Sequence, residues 1–448
     1  MNNTKNAIVV GLGKSGLSAA EFLLQKGCSV VGVDDFIDKI KYKPEILRLE
    51  NLGLRIKKEL DFTDFTEKSL VIISPGIPPS HPAIALAKLH HAEILGELEL
   101  ACRHLKKHFC IGITGTNGKT TVTLLIEHIL KYNGIKAKAV GNIGLPLTSQ
   151  LSEKGLLDVD VFVVELSSYQ LESMTTPVLD IGLLLNITPD HLDRYSSMDA
   201  YRMAKFRIAQ IVKANGMCYI NEQLREEIQK VFRTYPLKFF GFNEQNCLYT
   251  DGSSFHKNGY VYGSVPNKYK LKKNHDLENI LAAFSICNHF EIKPEDFCQA
   301  IESFQKPQHR IEFVRCLEGI SYYNDSKGTN VDAVIKAIKS LEGEILLIAG
   351  GVDKGFDYFE WLNVFPGKVK GVYVIGEAAR KIEMQLKKHV PVKIAEDLDK
   401  AVTMARKNAS PGNNILLSPG CASYDMFLDY EHRGHEFKRI VNALIGKE

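Results

Sequence analysis

Short, β-branched apolar runs recur along the chain with helix-length stretches between many of them: Ala7–Val10, Val30–Val33, Val71–Ser74, Cys110–Thr114, Val161–Leu166, Ile181–Asn186, Ile345–Ala349, Val372–Ile375 and Ile415–Ser418. A strand with one wet face alternates apolar and polar side chains, whereas these runs are apolar on both faces. Both sides must therefore be covered, which is the condition of a parallel strand packed between helices. The expected class is α/β with mostly parallel sheets.

At 448 residues the chain exceeds what one hydrophobic core organises, so several domains are expected. A basic stretch, Arg103–His108, separates the first strand–helix set from the second, and a turn-rich stretch, Lys306–His309, precedes the last. Three domains are assigned, 1–105, 106–306 and 307–448. Between Tyr235 and Leu271 the chain is rich in Gly, Tyr and Asn, and small antiparallel strands are expected there, inside the middle domain.

Composition narrows the partners. A formal net charge of +3 is spread over the chain, and clusters such as Lys268–Lys273 are short and isolated, so nucleic acid is not an expected partner. None of the nine cysteines forms a CxxC pair or a zinc-like spacing, which suits reduced, buried thiols in the cytoplasm. The run at Ala7–Val10 is cut off by Gly11, too short for a secretion signal, and nothing approaches the roughly 18 apolar residues that cross a bilayer. A soluble cytoplasmic monomer without membrane insertion is expected.

The segment Gly112-Ile-Thr-Gly-Thr-Asn-Gly-Lys-Thr-Thr121 follows an apolar run and precedes a helical pattern, Val122 to Tyr132. That is the setting of a phosphate-binding loop. Glycines at 115 and 118 let the backbone around Thr116 and Asn117 turn its N–H groups toward phosphate oxygens. Lys119 then neutralises the β- and γ-phosphates, and Thr120, followed by Thr121, offers a hydroxyl to magnesium. The strict pattern wants glycine where Ile113 stands, with Gly112 and Gly115 on either side. A bland turn accounts for a glycine or two, but not for Gly-Lys-Thr-Thr between a strand and a helix.

A second glycine motif, Gly11-Leu-Gly-Lys-Ser-Gly16, also follows an apolar run and opens a helix, with Asp34 and Asp35 further on. Alone it reads as a dinucleotide fingerprint and suggests NAD. The same backbone and helix N-terminus can hold another diphosphate equally well.

Together these motifs resemble the Mur ligase family, and stretches matching its D-glutamate-adding branch cover essentially the whole chain. They are Gly11–Gly16, Ser74–Ile77, the phosphate loop, Gly141–Gly144, Glu165–Leu171, Asp190–Tyr195, Ala204–Lys205, His309–Arg310, Asn324–Lys327 and Ser418–Ser423. The Glu-Leu-Ser-Ser-Tyr-Gln stretch and the Cys-Ala-Ser ending point to that branch, while the other signals mark the family at large.

The resemblance implies a Rossmann-like domain, a P-loop ATPase-like domain and a second Rossmann-like domain, which bind a UDP-linked precursor, ATP and an amino acid in turn. It implies a ligase of peptidoglycan synthesis. The carboxylate of UDP-N-acetylmuramoyl-L-alanine is activated by ATP as an acyl phosphate, the amine of D-glutamate attacks it, and ADP and phosphate leave. Asn279, Arg310 and Asp325 would join Gly115–Thr121 around ATP. Gly13, Lys14, Ser15, Asp34, Gly76, Asn142 and Gln170 would hold the UDP precursor, and Lys327, Thr329, Lys354, Ser423, Tyr424 and Tyr430 the D-glutamate.

Two magnesium ions are implied, on Thr120, Glu165, His191 and a carbamylated Lys205. Carbon dioxide turns the lysine cation into a carboxylate, the hard oxygen ligand magnesium prefers. Lys119, Glu165, His191, Lys205 and Lys327 would carry the catalysis. Without the resemblance, Glu165 reads as a solvated strand end, His191 as a structural histidine and Lys205 as a surface lysine. The chain departs from the family pattern at Asp35 and Phe36 near the uridine, at Asp276 near the adenine, and at Tyr424 and Tyr430.

Two other enzymes compete with this reading. A sister ligase adding a different amino acid would share the phosphate loop and differ in substrate profile. An NAD-dependent oxidoreductase would leave the phosphate loop and Asn324–Lys327 unexplained. A regulatory nucleotide-binding protein would bind ATP without turnover. The amino-acid lysines and the phosphate loop fall in different expected domains, so domain closure is expected.

Overall fold

All of the apolar runs become strands, with ends shifted by a few residues, in the computed structural model, which describes residues 6–446 except 67, 106–107, 152–155, 157, 191–193, 234 and 271–274. The first sheet contains β1 (Asn6–Val10), β2 (Ser29–Val33), β3 (Leu54–Lys57), β4 (Leu70–Ile73) and β5 (Glu93–Gly96), in the order β3-β2-β1-β4-β5. All of its pairs are parallel. The order reverses between β1 and β4, and a doubly wound sheet opens a ligand crevice at the carboxyl ends of such a pair.

The second sheet is built on β6 (Phe109–Thr114), flanked by β8 (Val161–Glu165) and β9 (Leu179–Leu184), with β7 (Ala137–Gly141) at one edge. It continues through β10 (Val212–Asn221), β11 (Leu237–Gly241), β12 (Leu248–Thr250), β13 (Ser254–Lys257) and β14 (Tyr260–Ser264). The antiparallel strands expected between Tyr235 and Leu271 are only partly found. β12–β13 and β13–β14 pair antiparallel, but β11 joins β10 and β12 in parallel. The reason is the helix Arg225–Val231, which lies between β10 and β11 and supplies the crossover a parallel pair needs.

Helix Lys119–Tyr132 shows how the sequence drives this core. Val122, Leu125, Ile126, Ile129 and Leu130 recur at helical spacing and are buried against Ile111, Ile113, Val161 and Val163 of the sheet. The third sheet has the order β15-β16-β20-β17-β18-β19, from β15 (Glu312–Leu317), β16 (Ile320–Asn324), β17 (Ile345–Gly350), β18 (Val369–Ile375), β19 (Val392–Ile394) and β20 (Asn414–Leu417). Only its β15–β16 pair is antiparallel.

The chain forms two compact units: Met1–Asn186 with Arg202–Phe304, and Ile187–Tyr201 with Gln305–Glu448. Two buried glutamates tie the first two sheets together within the former. Glu97 accepts from the Thr148 N–H and hydroxyl, both at 2.7 Å, and Glu99 accepts from Thr175 and Thr176. Burial raises the Glu97 carboxyl above its ordinary range. No helix among the described residues is long and apolar enough to cross a membrane.

Candidate active site

At the carboxyl ends of β1 and β4 the backbone is tightly prescribed. Gly11 adopts φ +87°, its carbonyl accepts the Ser74 hydroxyl at 2.7 Å, and a Cβ on Gly16 would lie 1.9 Å from that carbonyl oxygen. Gly13, by contrast, faces open space, with nothing within 4 Å of a Cβ built there. It precedes helix Lys14–Gln25, so the first N–H groups of that helix meet an approachable surface beside exposed Lys14. Asp34 braces this loop, accepting from Leu12 N at 2.7 Å and Phe36 N at 2.8 Å. Gly76, after β4, is exposed on the neighbouring turn.

In the central sheet, Gly112 belongs to β6 rather than to the phosphate loop: a Cβ there would lie 2.3 Å from the Leu179 side chain. The loop proper runs from Gly115 to Gly118, directly into helix Lys119–Tyr132. Gly118 has φ +87°, and a Cβ on it would lie 2.6 Å from Asn279 Oδ1, so Asn279 stands against the loop. The Lys119 ammonium donates to the Gly115 and Thr116 carbonyls, each at 2.8 Å. Asn186, which sequence reasoning left as a strand residue, clamps the same loop: Asn117 N donates to its Oδ1 at 2.9 Å, its Nδ2 donates to Asn117 O at 3.0 Å, and its carbonyl accepts from Thr116 N.

Glu165 ends β8, in register with Ile113 of β6, and is only 2% exposed rather than solvated. Its Oε1 accepts from Asn142 Nδ2 at 2.9 Å, whereas Oε2 is buried without a hydrogen-bond partner among the described residues. A buried carboxylate oxygen left unpaired is costly, and a hard cation is what such an oxygen is suited to hold. Lys205 is 1% exposed, and its Nζ donates to the Gly115 carbonyl at 2.8 Å, so it too reaches the loop instead of lying on the surface. Glu165 Oε2 thus fits a magnesium ligand, whereas Lys205 as the amine is a hydrogen-bond donor and would ligate a cation only as a carbamate. His191 lies outside the described residues. Gln170 closes a capping box on helix Ser168–Ser173, with Oε1 accepting from Ser167 N and Oγ, both at 2.9 Å.

The second unit gathers the remaining candidates at the carboxyl ends of β16, β17 and β20. Asp325 is buried; it accepts from the Ser418 hydroxyl at 2.7 Å and from Ile311 N at 3.3 Å. Burial pushes its carboxyl up to about 7, against the lowering effects of Ser418 and of the Arg310 charge. Lys327 Nζ lies 3.5 Å from the centroid of the Tyr430 ring, and its N–H donates to the His309 carbonyl at 3.1 Å. Lys354 donates to Asp190 Oδ1 at 3.3 Å. Ser423 is buried, Thr329 is half-buried and Tyr424 is 74% exposed. Sequence reasoning assigned no site role to Arg433, which is buried and donates to Ser326 Oγ at 3.0 Å and to the Cys421 carbonyl at 3.2 Å, joining the loops after β16 and β20.

The raised Asp325 carboxyl has a stability signature. Above the unfolded-chain value near 4 the folded state holds a proton that the unfolded state has lost, so stability falls as pH rises toward about 7 and is flat beyond. Urea unfolding of the wild type and Asp325→Asn between pH 4 and 8 is expected to show the wild type losing on the order of 1 kcal/mol per pH unit relative to the variant up to pH 7. Parallel curves would refute it.

Three family models match along the chain: a Mur ligase MurD-like N-terminal domain over residues 5–96, a Mur ligase middle domain over 113–287, and a Mur ligase glutamate ligase domain over 309–421. A UDP-N-acetylmuramoylalanine--D-glutamate ligase of Protochlamydia amoebophila is 48% identical over 441 residues, 98% of both chains. One of the same name from Caldicellulosiruptor saccharolyticus is 38% identical, covering 98% of this chain and 99% of its own. Among solved structures, the UDP-N-acetylmuramate-alanine ligase MurC of Thermotoga maritima has a TM-score of 0.60 at 18% identity over 98% of this chain and 99% of its own. The MurF ligase of the same organism, in complex with ADP, has a TM-score of 0.58 at 17% identity over 98% and 96%.

Proposed function

The chain belongs to the Mur ligase family, and from that premise we propose that it joins D-glutamate to UDP-N-acetylmuramoyl-L-alanine in an ATP-dependent, amide-forming step of peptidoglycan synthesis. The observation that carries the assignment of substrates is the 48% identity, over 98% of both chains, to a ligase named for that reaction. The finer points are part of the same proposal: the chain acts as a monomer in the cytoplasm, with domains at 1–105, 106–306 and 307–448. None of the nine cysteines is in a disulfide, which suits a reducing compartment.

A carboxylate oxygen is a poor leaving group, so the precursor carboxylate must first take the γ-phosphoryl group of ATP. The acyl phosphate then accepts the amine of D-glutamate, and phosphate leaves as the amide forms. The protein's part is positioning and charge neutralisation. Gly13, Lys14, Ser15, Asp34, Gly76, Asn142 and Gln170 are assigned to the UDP precursor. The N–H groups of Gly115–Thr121, with Asn279, Arg310 and Asp325, are assigned to ATP, and Lys119 to its β- and γ-phosphates. Thr120, Glu165, His191 and Lys205 as a carbamate would hold two magnesium ions, which supply charge neutralisation at the transferring phosphoryl group. Thr329, Lys354, Ser423, Tyr424 and Tyr430 are assigned to D-glutamate. Lys327 is shared between that site and the phosphate, its ammonium carried on the Tyr430 ring.

The test is phosphate release from ATP with UDP-N-acetylmuramoyl-L-alanine present, comparing D-glutamate, L-glutamate, L-alanine, L-lysine and diaminopimelate. Release with D-glutamate is expected to exceed every other amino acid by at least about 100-fold, with the matching product mass. A different preferred amino acid would keep the family and replace the member.

A further inference from the structure

Asp190 has no role in the assignments above, yet it sits at the centre of a buried polar chain within the second unit. Its side chain is 8% exposed and that of Lys354 is 14% exposed. Lys354 Nζ donates to Asp190 Oδ1 at 3.3 Å, and Asn330 Nδ2 donates to Oδ2 at 3.0 Å. Asn330 is itself fixed. Its Oδ1 accepts from Ala333 N at 2.8 Å as the N-cap of helix Val331–Ser340, and it is 3% exposed. The Asn330 amide therefore has one end committed to a helix and the other to a carboxylate, which leaves Asp190 little freedom of rotation. Two residues earlier, the Thr188 hydroxyl donates to Asp332 Oδ2 at 3.3 Å, pinning the same short segment to the first turn of that helix.

From this arrangement we infer that Asp190 and Asn330 are positioning residues for Lys354, holding its ammonium at one place and direction so that its remaining protons are presented to the α-amino acid's carboxylate. A lysine is a charge on a long flexible stem, and confining it costs rotamer entropy that an incoming substrate would otherwise have to supply. An ammonium carries three donors, and among the described residues only the Asp190 carboxylate accepts from that of Lys354. Two donors thus remain for substrate. Thr329 directly precedes Asn330, so the chain Asn330–Asp190–Lys354 also fixes the spacing between two of the residues assigned to D-glutamate.

The inference rests on the D-glutamate reading, and two measurements separate their failures. Steady-state kinetics of wild type, Asp190→Ala, Asp190→Asn and Asn330→Asp come first. Asn330→Asp keeps a capping oxygen for Ala333 N but replaces the donor to Asp190 with a like charge. Asp190→Ala and Asn330→Asp are expected to raise the KM for D-glutamate about tenfold with the KM for ATP within twofold and a Tm lowered but still above the assay temperature, and Asp190→Asn is expected to fall between. The second measurement needs no substrate: the rate of Lys354 acetylation, followed by peptide mass spectrometry, is expected to rise severalfold in Asp190→Ala while that of Lys381, which pairs with Asp353 at 2.8 Å, stays constant. An active wild type whose variants keep the D-glutamate KM, or lose kcat alone, overturns the positioning role, as does unchanged Lys354 reactivity. A wild type that prefers another amino acid overturns the substrate reading, and the acetylation result then decides the Asp190–Lys354 pairing by itself.

Discussion

Lys119→Ala is expected to lower kcat for D-glutamate-dependent phosphate release by about 10³-fold, roughly 4 kcal/mol of transition-state stabilisation, with Tm shifted by no more than a few degrees. The Lys119 ammonium lies over the loop and donates to the Gly115 and Thr116 carbonyls at 2.8 Å each. It is thus held against the loop's own carbonyls, beside the turn where the charge of a transferring phosphoryl group would gather. Truncation removes that cation. The loop itself keeps its shape, because Asn186 clamps Thr116 and Asn117 independently of Lys119. A separate thermal melt distinguishes the two effects. Turnover within tenfold of wild type would remove Lys119 from the mechanism, and a collapse of Tm would make it a structural residue.

The second large effect is expected at Lys205. Lys205 is 1% exposed as a residue and its Nζ is turned into the fold, toward the phosphate loop. A carbamate keeps one N–H on Nζ, which can still serve the observed 2.8 Å bond to the Gly115 carbonyl. It also adds two oxygens of the kind magnesium takes. Lys205→Ala is expected to lose at least about 10³-fold in kcat, a loss comparable to removing a major electrostatic element of the site, and to regain part of it with added formate, acetate or propionate. Bicarbonate labelled with ¹³C should give a carbamate signal in the wild type that is absent from the variant. Full activity of Lys205→Ala without additives would end the carbamate assignment.

The interior of each sheet was legible because buried parallel strands are written as continuous apolar runs. The edges were not. β3 carries Arg55 and Lys57, and β15 has no fully buried residue along Glu312–Leu317, so neither looks like the runs that announce a covered strand. The phosphate loop was legible for a different reason: its chemistry needs glycines and a lysine adjacent in sequence, so motif and site coincide. Asn186, Asp190, Asn330 and Arg433 make their contacts with residues distant in sequence, or through an amide whose two ends face different elements, and no local spacing encodes that. Lys205 is the sharpest case. Nothing in Met198–Phe206 says that this particular lysine points inward, and only the packing of the folded unit makes it one of the most buried large side chains in the protein.

The second compact unit is drawn from two separate stretches, Ile187–Tyr201 and Gln305–Glu448, and this bears on how amino-acid preference can be exchanged between related ligases. A chimera cut at the last apparent boundary would transplant Lys354 and Asn330 while leaving Asp190 behind in the host. The graft would then carry its lysine without the carboxylate it was shaped against. Recombination that moves residues 187–201 together with the C-terminal part keeps those partners matched, so the piece to be moved is discontinuous in the sequence although continuous in space.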